Sequence, residues 1–200
     1  MNGAVQSMTR HVALALANLR LRESLRLQSI RDPLTGLHNR RYPEETLERE
    51  VRRAIRGALS ISVLVLDSDH FKRFSDAFGD DARDLVLKEL AGGIQRVIRE
   101  EDVVCRYGGE EFSVVLLDAD QEQATLRAEQ LRQAVERMSV LFQHQPLGPV
   151  TISVGVAVLS EQAQTSADLI QAADQALYRA KKGSRNQVVT AIADTVSDQG

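Results

Sequence analysis

The sequence predicts a mixed α/β sandwich, a β-sheet covered by helices. Two observations carry this. Strand-length runs rich in Val, Ile and Leu recur at residues 61–66, 102–107, 112–117 and 150–158. Longer segments with helical spacing of apolar residues separate them, at 43–57, 81–100, 121–139 and 165–182.

Each element has its own justification. From Met8 to Ile30 there is no Pro or Gly, and Leu, Ala and Arg dominate, which predicts one helix leading into the domain. Two imperfect heptad stripes compete on it: Val12, Leu16, Leu19, Glu23, Arg26 and Ile30, or Leu14, Asn18, Leu21, Leu25 and Gln28. A parallel dimeric coiled-coil linker is preferred over a helix packed on its own domain. The helix at 43–57 carries Pro43 in its first turn, where its missing N–H costs nothing. The helix at 81–100 begins near Asp80 or Asp81 and contains Gly92-Gly93, a pair that weakens a helix and permits close packing. Residues 187–191 read as a short edge strand, and the polar tail from Asp194 is expected to fray. The organisation is therefore a linker helix over 1–30, a domain over 31–193 and a tail over 194–200.

Two motifs carry chemistry. Strand 102–107 and strand 112–117 flank a Gly-Gly pair and form a hairpin whose tip holds Glu110 and Glu111. Glycine permits positive φ and lets a ligand approach without a Cβ in the way. Carboxylates on such a tip suit a metal and a polyphosphate. The second motif is Asp67-Ser68-Asp69-His70-Phe71-Lys72, which follows the strand at 61–66. Carboxylates there lie at the carboxyl edge of the sheet, where open α/β sheets bind ligands. Hard oxygen ligands suit Mg2+, which takes one or two protein carboxylates and leaves the rest to phosphate and water. An acidic helix N-cap accounts for Asp69 but not for Asp67.

With these motifs in place the chain resembles the GGDEF domains, the diguanylate cyclases. Four ordered blocks match: Asp32-Pro33-Leu34-Thr35-Gly36-Leu37-His38-Asn39-Arg40-Arg41, then Asp67 through Lys72, then Arg106-Tyr107-Gly108-Gly109-Glu110-Glu111-Phe112, and finally Ala173-Asp174-Gln175-Ala176-Leu177-Tyr178-Arg179-Ala180-Lys181 with Gly183 and Arg185. The resemblance implies a ferredoxin-like palm with a central, mainly antiparallel sheet, related to class III nucleotide cyclases. It implies condensation of two GTP into cyclic di-GMP and pyrophosphate by a homodimer. The cofactor would be Mg2+, with Mn2+ as a substitute. Asp67, the Ser68 carbonyl and Glu110 would bind metal, and Glu110 would be the candidate base for the attacking 3′-hydroxyl. Glu111 and Arg106 would support the catalytic tip. Lys72 would neutralise phosphate charge. The N–H groups of His70, Phe71 and Lys72 would bind phosphate oxygens, and Lys181 and Arg185 would grip the terminal phosphates.

The base site departs from the family pattern. Ser75, Asp80 and Arg83 stand where the family usually has Asn, His and Gly, while Asp84 is retained. An Asp can accept from guanine N1–H and the exocyclic amine, and adenine lacks that donor pair. Two other outcomes stay open: a silent module that binds GTP or cyclic di-GMP, and a cyclase with relaxed base choice. Arg99 and Asp102 have the Arg-x-x-Asp spacing of the family's product-inhibition site.

Composition bounds the rest. The chain has 200 residues, 43% hydrophobic and 26% charged, which is ordinary for a globular protein. A net charge of −3 gives no nucleic-acid footprint. One cysteine excludes an intrachain disulfide. No apolar run reaches membrane-spanning length and no signal peptide is visible, so a cytoplasmic setting is expected. A sensor domain N-terminal to this segment is expected to supply the input.

Overall fold

A computed structural model describes residues 30–160 and 163–191. The linker helix, apart from Ile30, and the tail lie outside the described residues.

The elements run β1 (His38–Asn39), α1 (Arg41–Gly57), β2 (Ile61–Ser68), α2 (Lys72–Phe78), α3 (Asp80–Val97), β3 (Val103–Arg106), β4 (Glu111–Leu117), α4 (Gln121–Glu136), β5 (Leu141–Phe142), β6 (Gln145–Pro146), β7 (Ile152–Val158), α5 (Ser166–Lys182) and β8 (Val188–Thr190). Six strands form one sheet in the order β1-β3-β4-β2-β7-β8. Each of the four central strands runs antiparallel to its neighbours among them, and β1 and β8 add in parallel at the two edges. The predicted class, a mainly antiparallel sheet flanked by helices, is the one observed.

Strand β2 is buried along its whole length. It sits between β4 and β7, with helices over both faces, so from Ile61 to Leu66 it is apolar at every position but Ser62 rather than alternating. Its side chains still alternate between two cores. Leu64 and Leu66 join Phe74, Leu87, Leu90, Phe112 and Leu131 under α2, α3 and α4. Ile61, Val63 and Val65 join Leu47, Val51, Leu169 and Leu177 under α1 and α5. Asp67, next in the second series, therefore emerges on the α1/α5 face.

Two helices start on reciprocal caps. Asp120 and Gln123 form a capping box before α4, and Thr165 and Asp168 form one before α5. Helix α5 presses onto β7 at Gly155. A Cβ there would lie 2.1 Å from the Ala173 carbonyl oxygen and 2.4 Å from the Leu177 nitrogen. Close packing thus belongs to Gly155, not to Gly92-Gly93. At Gly93 an added Cβ would meet Met138 Sδ at an ordinary 3.5 Å.

Several boundaries differ from expectation. The helix predicted over 81–100 begins at Asp80 and ends at Val97, where Ile98 turns extended. The helix over 121–139 stops at Glu136, and the small β5–β6 hairpin follows. Helix α2 and strand β1 were not predicted. Both are too short to show a period.

Candidate active site

The end of β2 is the centre of the site. Asp67 pairs with Glu111 of β4 on one side and Ser153 of β7 on the other. Directly opposed residues in antiparallel strands share a face, so the Glu111 carboxylate stands beside that of Asp67. Asp67 is 3% exposed. Its Oδ2 receives Lys181 Nζ of α5 at 2.5 Å. Its Oδ1 is buried and has no hydrogen-bond partner among the described residues, and neither does the Ser68 hydroxyl. Burial pushes the Asp67 carboxyl up to about 6, against the pull of Lys181, and the charges of Glu110 and Glu111 push the same way.

Asp69 is not an N-cap. Its carboxylate is buried and accepts from Thr151 Oγ1 at 2.9 Å, Ser153 Oγ at 2.7 Å and the Asn186 backbone N–H at 3.0 Å. It joins the end of β2 to the start of β7 and to the loop after α5. The residues it recruits, Thr151, Ser153 and Asn186, were not singled out from sequence. They carry no local motif and meet Asp69 only across 82 to 117 positions of chain.

The hairpin tip closes without positive φ at Gly108 or Gly109; among the described glycines only Gly36, Gly79 and Gly148 have it. A Cβ on Gly108 would stand 2.8 Å from Glu111 Oε2, the movable end of a flexible side chain, and one on Gly109 would meet nothing within 4 Å. Tyr107 N–H and Gly108 N–H both donate to the Glu111 carbonyl. The Ser68 N–H reaches the Glu110 carbonyl at 3.5 Å, which ties the tip to the end of β2.

Arg106 braces this tip. Its Nε donates to the Gly108 and Gly109 carbonyls at 3.2 Å, and Nη2 donates to Gly109 at 2.8 Å. Its Nη1 spans both oxygens of Asp32 at 3.1 and 3.2 Å. Asp32 also holds the opening turn through the Thr35 N–H and hydroxyl. Burial tends to raise the Asp32 carboxyl, but Thr35 and then Arg106 outweigh it and hold it below the usual range. The opening signature and the Gly-Gly signature are thus two halves of one structure.

Beyond β2 the chain turns through His70, which adopts a left-handed φ of 53°. Phe71 caps α2, and Lys72 opens it with an exposed side chain. The Ser75 hydroxyl donates to the Lys72 carbonyl at 2.9 Å. Arg185 and Asn186 are consecutive left-handed residues with φ of 56° and 44°. The Asn186 side chain donates to Glu136 at 2.7 Å and accepts from Arg132 Nη1 at 2.9 Å. This network holds the loop that exposes Arg185. Structure therefore gathers Asp67, Glu111 and Lys181, with Ser68 and the Glu110 backbone adjoining.

At the start of α3, Arg83 spans two acids. Its Nη1 meets Asp80 at 3.0 Å, and its Nε and Nη2 meet Asp84 Oδ1 at 3.3 and 3.1 Å. Arg99 and Asp102 lie apart from the β2 end, at the start of β3. The Asp102 carboxylate is occupied by the Leu117 N–H, Arg127 Nη1 and the Arg99 N–H. The Arg99 side chain is 55% exposed. Among the described residues no three acidic, His or Cys side chains converge enough to hold an ion unaided. No described helix is long and apolar enough to cross a membrane.

Comparison with known proteins agrees with this geometry. The family profile "Diguanylate cyclase, GGDEF domain" matches residues 29–187. The response regulator PleD of Caulobacter vibrioides is 41% identical over 162 residues, 80% of this chain and 36% of PleD. The diguanylate cyclase DgcP of Pseudomonas aeruginosa is 40% identical over 169 residues, 84% of this chain and 25% of DgcP. The chain thus spans about a third or less of these curated relatives. The coiled coil and GGDEF domain of DgcB from Caulobacter crescentus, solved in complex with c-di-GMP, superimposes with a TM-score of 0.83 at 32% identity, covering 92% of this chain and 100% of that one.

Proposed function

The chain belongs to the diguanylate cyclase, GGDEF domain family, and from that membership we propose that it condenses two GTP molecules into cyclic di-GMP and pyrophosphate. The observation that carries this is Asp67: a buried carboxylate with an unpartnered Oδ1, placed at the strand end beside the Glu110-Glu111 tip. A hard divalent cation fits that donor set, with one carboxylate, the Ser68 carbonyl and Glu110 available, and substrate phosphate and water to complete it. When bound, Mg2+ or Mn2+ supplies charge neutralisation at the phosphates and lowers the pKa of the attacking 3′-hydroxyl.

The chain's own residues do the rest by positioning. Glu110 accepts the 3′-hydroxyl proton. Lys72 and Arg185 hold phosphate oxygens, and the N–H groups around His70, Phe71 and Lys72 add neutral donors. Glu111 adds charge beside Asp67, and Arg106 keeps the tip in place. Asp84 receives the guanine edge, with Ser75 and Asp80 beside it. Each chain offers one such site, so two chains facing each other about a two-fold axis complete the reaction. The preceding helix is the pairing element, driven by a sensor domain, in the cytoplasm where GTP is found. Cyclic di-GMP returning to Arg99 and Asp102 would limit output. There Asp102 would fix the backbone, and Arg99 would reach the ligand.

Relaxed base choice is a second reading, and Arg83 favours it. The guanidinium occupies Asp84 Oδ1, one of the two oxygens open to a guanine edge, and Ser75 spends its hydroxyl on Lys72.

The test is to incubate the protein with Mg2+ and GTP, ATP or both, and to identify dinucleotides by mass spectrometry. Cyclic di-GMP, lost in Glu110→Gln, is the expected result. Mixed dinucleotides would establish the second reading. No product, even with dimerisation forced through the N-terminal helix, would make the chain a silent binding module.

A further inference from the structure

The geometry points to Lys181 as a stand-in cation that holds the metal position closed until a nucleotide draws it away. This rests on the assignment of Asp67 as a metal ligand. Lys181 Nζ lies 2.5 Å from Asp67 Oδ2, while Oδ1 of the same carboxylate is bare and buried. Asp67 is 3% exposed and faces the Glu110 and Glu111 charges, so without a cation this end of β2 would be an uncompensated buried anion. Lys181 supplies that cation from α5, whose seat on β7 is set by Gly155.

A divalent ion on Oδ1 would share one carboxylate with the ammonium on Oδ2. Two cations that close repel strongly in a site shielded from water. Lys181 therefore opposes free metal. A polyphosphate changes the sign, because it offers Lys181 a second anion. The Lys181 side chain is 34% exposed, on a flexible four-carbon stem, so it can turn to that anion without moving the helix. Once it has turned, the ammonium and the metal bind the same phosphate chain and each favours the other. Coupling of this kind is reciprocal, so metal enters together with nucleotide rather than ahead of it.

Mn2+ binding, followed by electron paramagnetic resonance, tests this without turnover. In the nucleotide-free protein, Lys181→Gln is expected to bind Mn2+ about tenfold more tightly than wild type, a coupling within the usual allosteric range. With the unreactive α,β-methylene analogue of GTP present, the same variant is expected to bind Mn2+ about tenfold more weakly. Lys181→Arg, which keeps the charge, should follow wild type in both conditions. Unchanged or weaker Mn2+ binding by nucleotide-free Lys181→Gln would overturn the inference alone. Asp67→Asn distinguishes the deeper failure. If it keeps wild-type Mn2+ binding, Asp67 is not a ligand, and the metal reading and this inference both fall.

Discussion

Asp67→Asn should make the metal-free protein more stable while removing its chemistry. The wild-type carboxyl is held at about 6 in the fold, against an ordinary value of 3.8. Its folded-state pKa is raised, so between these values the native state binds more protons than the unfolded chain. Stability then falls as pH rises through that window, and above about pH 6 the fold bears the full cost of a buried anion. Two pK units correspond to about 3 kcal/mol. That figure already contains the pull of Lys181, and the partial exposure of the lysine discounts it to about 1–2 kcal/mol. A domain of this size gains about 2–4 °C in Tm per kcal/mol, so Asp67→Asn should melt about 2–8 °C above wild type near pH 8 in EDTA. Differential scanning calorimetry across pH provides the assay. The gap should close as pH falls towards about 4, where wild-type Asp67 is protonated too. A variant that melts below wild type near pH 8, or a gap that persists at low pH, would refute the argument from burial.

Three further outcomes follow from the packing. Gly155→Ala drives a methyl group into the α5 backbone, which cannot yield as a flexible side chain would. It should cost about 3 kcal/mol or more and lower Tm by at least about 6 °C. Arg106→Lys keeps the charge but loses the fork that spans Asp32 and two carbonyls. It should cost about 1–3 kcal/mol in urea unfolding and reduce dinucleotide synthesis at least about tenfold. Asn186→Ala frees the loop from Glu136 and Arg132. It should raise the KM for GTP about three- to tenfold with kcat nearly unchanged, and have no further effect in an Arg185→Ala background.

Much of the fold was legible because the buried strands are locally explicit. Residues 61–66 are apolar and mostly β-prone apart from Ser62, and residues 150–158 are almost as β-prone, so neither competes with a helix. The capping boxes of α4 and α5 fix their starts within a residue or so. The site was legible where it is contiguous: Asp67 through Lys72, and Arg106 through Phe112. It was not legible where a role depends on distant partners. Asp69 looks like a cap in sequence, yet in three dimensions it is a tether, because Thr151, Ser153 and Asn186 arrive from another strand and another loop. Lys181 is expected at the phosphates, and its pairing with Asp67 appears only in the fold. The purpose of Gly155 appears only with α5 above it. The Gly-Gly tip misled in the opposite sense. Its glycines suggested a left-handed turn, and neither Gly108 nor Gly109 has a positive φ.

Cys105 is the only thiol in the chain. It is buried in β3, with its Sγ 3.0 Å from the Ser113 hydroxyl. Thiol reagents therefore find the one native thiol buried, and a cysteine introduced at an exposed position such as Glu122 becomes a unique attachment point. In the symmetric pair proposed above, one such substitution would yield a single distance between two spin labels, with no native cysteine to remove first.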